Sequence, residues 1–175
     1  DDLITKENSK LKPLSISIAV DEDTRHILGV EVSRIPTFGH LAKIALKKYG
    51  HRPNEHPEAL ERLFKSITPS LSSEVLIKTD EHQSYPYVIK KYLPRSKHET
   101  YKSERAHVAG QGELKKVAFD PLFIINHTCA MLRANINRLI RKTWCTTKKI
   151  ERLKDHLEIF QYYYNEIYLR GLTPI

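Results

Sequence analysis

"EVLIKTDEHQSYP" occupies Glu74 to Pro86. Val75-Leu76-Ile77 follow a Ser/Pro-rich stretch and read as a short buried strand. The run ends in Lys78-Thr79-Asp80-Glu81-His82, not in an ordinary turn. One reading has Asp80 open a turn, or cap a helix starting near Tyr85. The other places its carboxylate at the C-terminal end of a strand, where many α/β sheets present a ligand crevice. What the rest of the chain can bring to that crevice separates the two.

Upstream, "LSISIAV" from Leu14 to Val20 alternates apolar with small residues and reads as a strand. "DEDT" at 21–24 is a tight turn, and His26–Ile35 is the returning strand of a hairpin, stopped by Pro36. Helical spacing over Leu41–Tyr49 ends at Gly50, and "HRPNEHP" reads as a linker loop. Leu60, Leu63, Phe64 and Ile67 then mark an amphipathic helix. Downstream come a short helix over Tyr85–Leu93, an edge strand at "KHETYK", and a polar loop at "ERAHVAGQGELKK". Asp120-Pro121 opens a long helix running to Lys142, with Ile125, Cys129, Leu132, Ile136 and Leu139 as its buried stripe. A second long helix, from about Lys149 to Tyr168, buries Leu153, Leu157, Phe160, Tyr164 and Ile167. A hairpin followed by strands alternating with helices predicts an α/β fold, a mixed sheet flanked by helices.

At 175 residues the chain reads as one domain with a substantial core. Lys and Arg number 29 against 21 Asp and Glu, and the resulting +8 favours a polyanionic partner, nucleic acid before an anionic membrane surface. No apolar run is long enough to cross a bilayer and no signal peptide is visible, so a soluble intracellular protein is expected. The chain opens at Asp1-Asp2 without an initiating Met, which reads as a fragment. Of the two cysteines, Cys129 falls on the apolar helix face, and the nine histidines show no zinc-ligand spacing.

Beside the buried stripe runs a polar one. Asn126, Arg133 and Asn137 share a face, and Arg138, Arg141, Lys142, Lys148 and Lys149 lie beyond them. A solvated basic helix face explains these residues by itself. On a helix packed across a strand ending in Asp80, the same face would complete a metal site and a phosphate clamp.

The segment "GQGELKKVAFDPLFIINHTCAMLRANINRLIRKTWCTTKK" resembles the C-terminal catalytic region of DDE-type transposases of bacterial insertion sequences. "TDEHQSYP" resembles their second-aspartate segment, and "DDLITKENSKLKPLSISIAVDEDTRHILGVEVSRIP" the region that begins with their first. The resemblance implies a ribonuclease H-like fold whose first strand is largely truncated, lying mostly upstream of residue 1. It implies one catalytic domain over 1–175, without the family's N-terminal end-binding domain.

By position, the resemblance makes Asp1 the first acid, with Asp2 beside it, and Asp80 the second. Asn126 takes the third place, and Arg133 the basic residue two helical turns later. The family more often carries Glu at the third place, although an Asn variant exists. Mg²⁺, or Mn²⁺ in its stead, would be held by Asp1, Asp80 and Asn126 to position a water or 3′-hydroxyl and stabilise the leaving oxygen. An amide oxygen is a hard ligand without charge, so weaker metal binding is expected unless Glu81 or Glu113 supplies the charge. Asp21 and Asp23 are turn residues on this reading.

DNA, both element ends and target, is the implied partner, tracked by Arg138, Arg141, Lys142, Lys148 and Lys149. A homo-oligomer assembled on DNA in the bacterial cytoplasm, nucleoid-associated and with no membrane role, completes the expectation. Two alternatives stand beside it. One is a catalytically inactive or domesticated DNA-binding remnant of the same fold, and the other a partner-binding module whose charge serves solubility.

Overall fold

Alternation along the first forty residues builds a three-stranded antiparallel sheet. The structure, a computed structural model, describes residues 1–102, 120–140 and 144–172. Strand β1 (Asp2–Lys6) pairs with β2 (Pro13–Val20), which pairs with β3 (Ile27–Arg34). Because side chains alternate across a strand, Leu3, Leu14, Ile16, Ile18 and Val32 share one face and enter the main core. The other face carries Asp2, Ser15, Ser17, Ala19, Gly29 and Ser33, small residues that let a helix approach closely.

That helix is α2, which packs on β2 and β3 and follows the short α1. Helix α1 (Ala42–Tyr49) ends at Gly50, whose φ of 73° suits a residue without Cβ. Helix α2 spans His56–Ile67 and buries Ala59, Leu60, Leu63, Phe64 and Ile67, as their spacing requires. Its first residue, His56, is also buried, so the expected linker ends one residue before it.

β4 (Leu76–Thr79) and β5 (Lys97–Thr100) form a separate two-stranded parallel sheet. A parallel pair needs a crossover, here α3 (Tyr85–Tyr92), whose Tyr85, Val88 and Ile89 pack with Leu60 and Phe64 of α2 in a second core. One mixed sheet was expected. Among the described residues no ladder joins the two sheets, and a cavity of about 460 Å³ lies between Ala19–Val20 of β2 and Leu76–Thr79 of β4.

On the main-core face lie α4 (Phe123–Asn135) and α5 (Ile150–Tyr163). Helix α4 is shorter than expected at both ends. Asp120 accepts the Leu122 N–H on Oδ1 at 3.1 Å, holding a turn before the helix instead of capping its first residue. At the other end Ile136 turns extended (φ −109°, ψ 102°) and a 3₁₀ turn covers Asn137–Leu139. The Asn135 side-chain amide donates to the Met131 carbonyl at 2.8 Å, competition with the helical ladder that favours termination there. Ile136 and Leu139 stay buried across the break, but Asn137 no longer shares a helix with Asn126 and Arg133.

α5 continues into a π-helical turn, Tyr164–Tyr168, and then α6 (Leu169–Leu172). One π turn slips the helix register, so Ile167, expected in the core, is 56% exposed while Tyr168 and Leu169 pack inward. Tyr164 is fully buried, stacked between Phe160 and Tyr168 at 5.7 and 5.4 Å. Trp144, the sole tryptophan, is fully exposed.

Gly29 measures how closely α2 approaches the sheet. A Cβ there would stand 2.8 Å from Leu63 Cδ1 and 3.0 Å from Ile67 Cγ2, both in buried side chains. Gly29→Ala is expected to cost about 1–3 kcal/mol through overpacking, read as a thermal melting point lowered by several degrees. An unchanged melt would mean that α2 can move off the sheet without loss.

Candidate functional site

The doublet Asp1-Asp2 divides across the sheet. Asp1 pairs with Ile18, its nitrogen donating to the Ile18 carbonyl at 3.3 Å and its own carbonyl accepting the Ile18 N–H at 3.0 Å. Strand alternation therefore puts Asp1 on the face that carries α4, and Asp2 on the face covered by α2.

Asp2 is largely buried and its carboxylate is filled by neighbours. Oδ1 accepts the hydroxyls of Ser15 at 3.0 Å and Ser17 at 2.6 Å. Oδ2 contacts His56 Nε2 at 2.8 Å and accepts the Tyr85 hydroxyl at 3.1 Å. Burial by itself pushes this carboxyl up. The hydrogen bond and charge of His56, with the Ser17 hydroxyl, outweigh burial and hold it well below the ordinary carboxylate range. Burial, then the charges of Asp2 and Asp80, push the Tyr85 phenol far up, so Tyr85 remains a neutral donor. Asp2 thus fastens α2 and α3 to the sheet, while Asp1 is the acid turned toward α4.

Asp80 follows the C-terminal end of β4, as its sequence context suggested. Its Oδ1 accepts the His82 N–H at 3.1 Å, so it does open a turn. The residue before α3 is Ser84, so Asp80 does not cap that helix. The His82 ring stands edge-on to His56 at 5.0 Å and to Tyr85 at 5.7 Å, packing the turn that carries Asp80 against the Asp2 cluster.

Asn126 lies in the first turn of α4, and its Nδ2 donates to Asp120 Oδ2 at 2.8 Å. A carboxylate can only accept, so the amide nitrogen must face Asp120 and Oδ1 is left pointing elsewhere as an acceptor. Arg133, seven residues on, returns to nearly the same helix face and is half-buried. It also lies in the last turn of α4, where a cation is favoured by the helix dipole.

Of the three positions, Asp1 itself lines the cavity between the sheets, while Asp80 and Asn126 reach it only through their chain neighbours. Its wall includes Asp1, Thr79 next to Asp80, and Ile125 next to Asn126, together with Tyr85. Asp21 and Asp23 also line it. Asp21 Oδ1 accepts the N–H groups of Asp23 and Thr24 at 2.9 and 2.8 Å, the turn role expected of it. Lys78 crosses the rim to Glu22 at 2.6 Å. Among the described residues no three His, Cys, Asp or Glu side chains form a metal-holding group.

Among the described residues, the expected DNA-tracking side chains do not share one helix face. Arg138 sits in the 3₁₀ turn after α4, and Lys148 and Lys149 are exposed just before α5. Arg141, Lys142 and Glu113 lie outside the described residues. The pairing Glu7–Thr147 brings Lys148 and Lys149 to the Lys6 end of β1, away from Asp1.

Sequence reasoning missed Asp120 as a partner of Asn126, and His56 and Tyr85 as partners of Asp2. The only signal for the last two was two adjacent acids on an alternating strand, one of which must face inward.

Asp2 generates an acid dependence of known sign. Its folded-state carboxyl lies below the ordinary value of 3.8, so its stabilisation is complete above that value and is lost as pH falls through and below it. Asp2→Ala is expected to cost about 3–5 kcal/mol at neutral pH, as for one removed partner of a buried pair, and to flatten the fall in stability below pH 4. Denaturant midpoints measured against pH check both effects.

Comparison with family models, curated proteins and solved structures found no match to this chain.

Proposed function

We propose that the chain is the catalytic domain of a DDE-type DNA transposase with Asn at the third catalytic position, cutting a phosphodiester and transferring the 3′ end. The observation that carries this reading is the single cavity bordered by Asp1, by the residue preceding Asp80 and by the residue preceding Asn126. The resemblance selects Asp1 and the two residues that follow these neighbours, Asp80 and Asn126, which lie just before β1, just after β4 and in α4. The net charge of +8 supports a polyanionic substrate.

The finer fold reading belongs with it. We read the two sheets as parts of one ribonuclease H-like mixed sheet, with the cavity as the lane between β2 and β4 that a longer first strand would occupy.

The donors suit Mg²⁺, which prefers oxygen: Asp1, Asp80 and the Asn126 Oδ1 left free of Asp120. A bound divalent ion would activate the attacking oxygen and stabilise the leaving one. The chain's own residues prepare that site. Asp120 fixes which Asn126 atom faces outward, and its carboxylate places a negative charge beside a neutral ligand. The sequence raised Glu81 and Glu113 as sources of that charge, and Asp120 is the acid in contact. His82 N–H holds Asp80 in its turn, and Arg133 would steady a phosphate two helical turns from Asn126.

A second reading, an inactive DNA-binding domain of the same fold, is favoured by Asn126 itself, since two carboxylates and an amide carry less charge than three acids. Asp80→Ala separates the readings. It is expected to abolish Mg²⁺-dependent strand cleavage while leaving DNA affinity unchanged or slightly raised. Cleavage by the variant at the wild-type rate would remove Asp80 from the site. A wild type that binds DNA without cutting it would select the inactive domain.

The Asn126–Asp120 contact gives a further test. Asn126→Glu sets carboxylate against carboxylate and is expected to lower stability by about 1–3 kcal/mol, the cost of leaving a partly buried polar group unmatched. Asp120→Asn in the same chain should restore most of that loss. A thermal-melt double-mutant cycle measures the coupling, and additive losses would show that the two side chains do not meet in solution.

A further inference from the structure

From Val32 to Asn54 the chain carries Arg34, Lys43, Lys47, Lys48 and Arg52, and neither Asp nor Glu. This run folds over the end of the sheet remote from Asp1. Asp2 lies opposite Ser17 and Lys6 opposite Pro13, so the five residues of β1 put this end roughly 17 Å from the candidate site. A cavity of about 390 Å³ opens there between Lys12, Arg34, helix α1 and the corner Tyr49–Pro53.

Its cations are arranged, not merely numerous. Lys12 Nζ lies 4.6 Å from the Tyr49 ring centroid and Lys48 Nζ 5.4 Å, so one aromatic ring of the cavity wall gathers two ammonium groups. The two nearby acids are already engaged. Glu55 pairs with Arg34 and Glu7 with Arg52, both at 3.1 Å. Among the described residues no carboxylate pairs with Lys12, Lys43, Lys47 or Lys48. Arg52 gives Nη2 to Glu7 and to the Pro13 carbonyl, while its buried Nε–H has no partner among the described residues. A solvated basic face accounts for the α1 lysines. It does not account for a cavity beside them whose wall carries Lys12, Arg34, His51 and Arg52.

We propose that this cavity seats a backbone phosphate of DNA, making α1 and the Lys12–Arg52 corner a second DNA contact separate from the cleavage site. The proposal rests on the DNA-binding part of the reading above and not on catalysis. Lys148 and Lys149 extend the same surface, because the Glu7–Thr147 bridge and the Asn8 N–H, donated to the Thr147 carbonyl at 2.9 Å, hold their segment beside Glu7. A strand bound at Asp1 would thus be gripped again at the other end of the sheet.

The test is the salt dependence of duplex binding, followed by fluorescence polarisation. Each phosphate contact contributes about 0.9 to the slope of log K against log salt. Lys12→Gln/Lys47→Gln/Lys48→Gln is expected to lower that slope by about 2–3 and to weaken binding about tenfold or more at moderate salt. A charge-matched control, Lys65→Gln/Lys90→Gln/Lys91→Gln on α2 and α3, should change the slope by less than about 1. Equal losses in the two variants would reveal a whole-protein charge effect and overturn the pocket. With inorganic phosphate as probe, the Gly50 and His51 amide resonances should shift saturably in the wild type and not in Arg52→Gln. If that variant unfolds for want of its Glu7 pair, Lys12→Gln serves instead, and resonances that never shift would equally overturn the proposal. A wild type binding duplex no better than an uncharged polymer would overturn the DNA reading and the pocket together. Loss of the catalytic assignment alone would leave the pocket standing.

Discussion

The fold is fastened by one buried carboxylate. Asp2 draws hydroxyls from β2, an imidazole from α2 and a phenol from α3 onto two oxygen atoms. Removing such a group from water is costly unless every lone pair is matched, and here four polar partners surround it. Two helices outside the β1–β2 ladder, α2 and α3, are thereby tied to β1. The turn carrying Asp80 is held through the same cluster, since His82 packs on both His56 and Tyr85. The neighbouring Asp1 is placed by the same strand geometry on the opposite face.

How much of this was legible depended on periodicity. Leu60, Leu63, Phe64 and Ile67 announce α2, and the alternation from Leu14 to Val20 announces β2, because burial acts on each residue separately and repeats with the backbone. The departures arise where one polar contact or one backbone step breaks the repeat. Asn135 bonding back to Met131 and the extended Ile136 end α4 early, and a π turn at Tyr164 throws Ile167 outward. The site was legible in part. Asp80 stands at a strand end as its context suggested, whereas the Asn126–Asp120 contact joins residues six apart across a helix start, a spacing that no helical or strand repeat marks. The contacts of Asp2 reach 54 and 83 residues ahead, to His56 and Tyr85, and are invisible locally.

Charge is divided along β1. Asp1, Asp2 and the Asp21–Asp23 turn gather toward one end of the sheet. Lys6, Lys12, Arg52, Lys148 and Lys149 gather toward the other. A net charge of +8 therefore understates the positive potential at the basic end. An end-on dipole of this kind orients a polyanion as it approaches, an effect carried by the field and screened within about 8 Å at physiological salt.

The exposure of Trp144 bears on how the protein can be observed. With its single indole already in water, tryptophan emission has almost no burial to lose on unfolding and is a blind reporter of the core. The stacked column Phe160–Tyr164–Tyr168 is the chromophore set that the core does hold rigid. Near-ultraviolet circular dichroism of tyrosine, and not indole fluorescence, is the optical signal tied to tertiary packing in this chain.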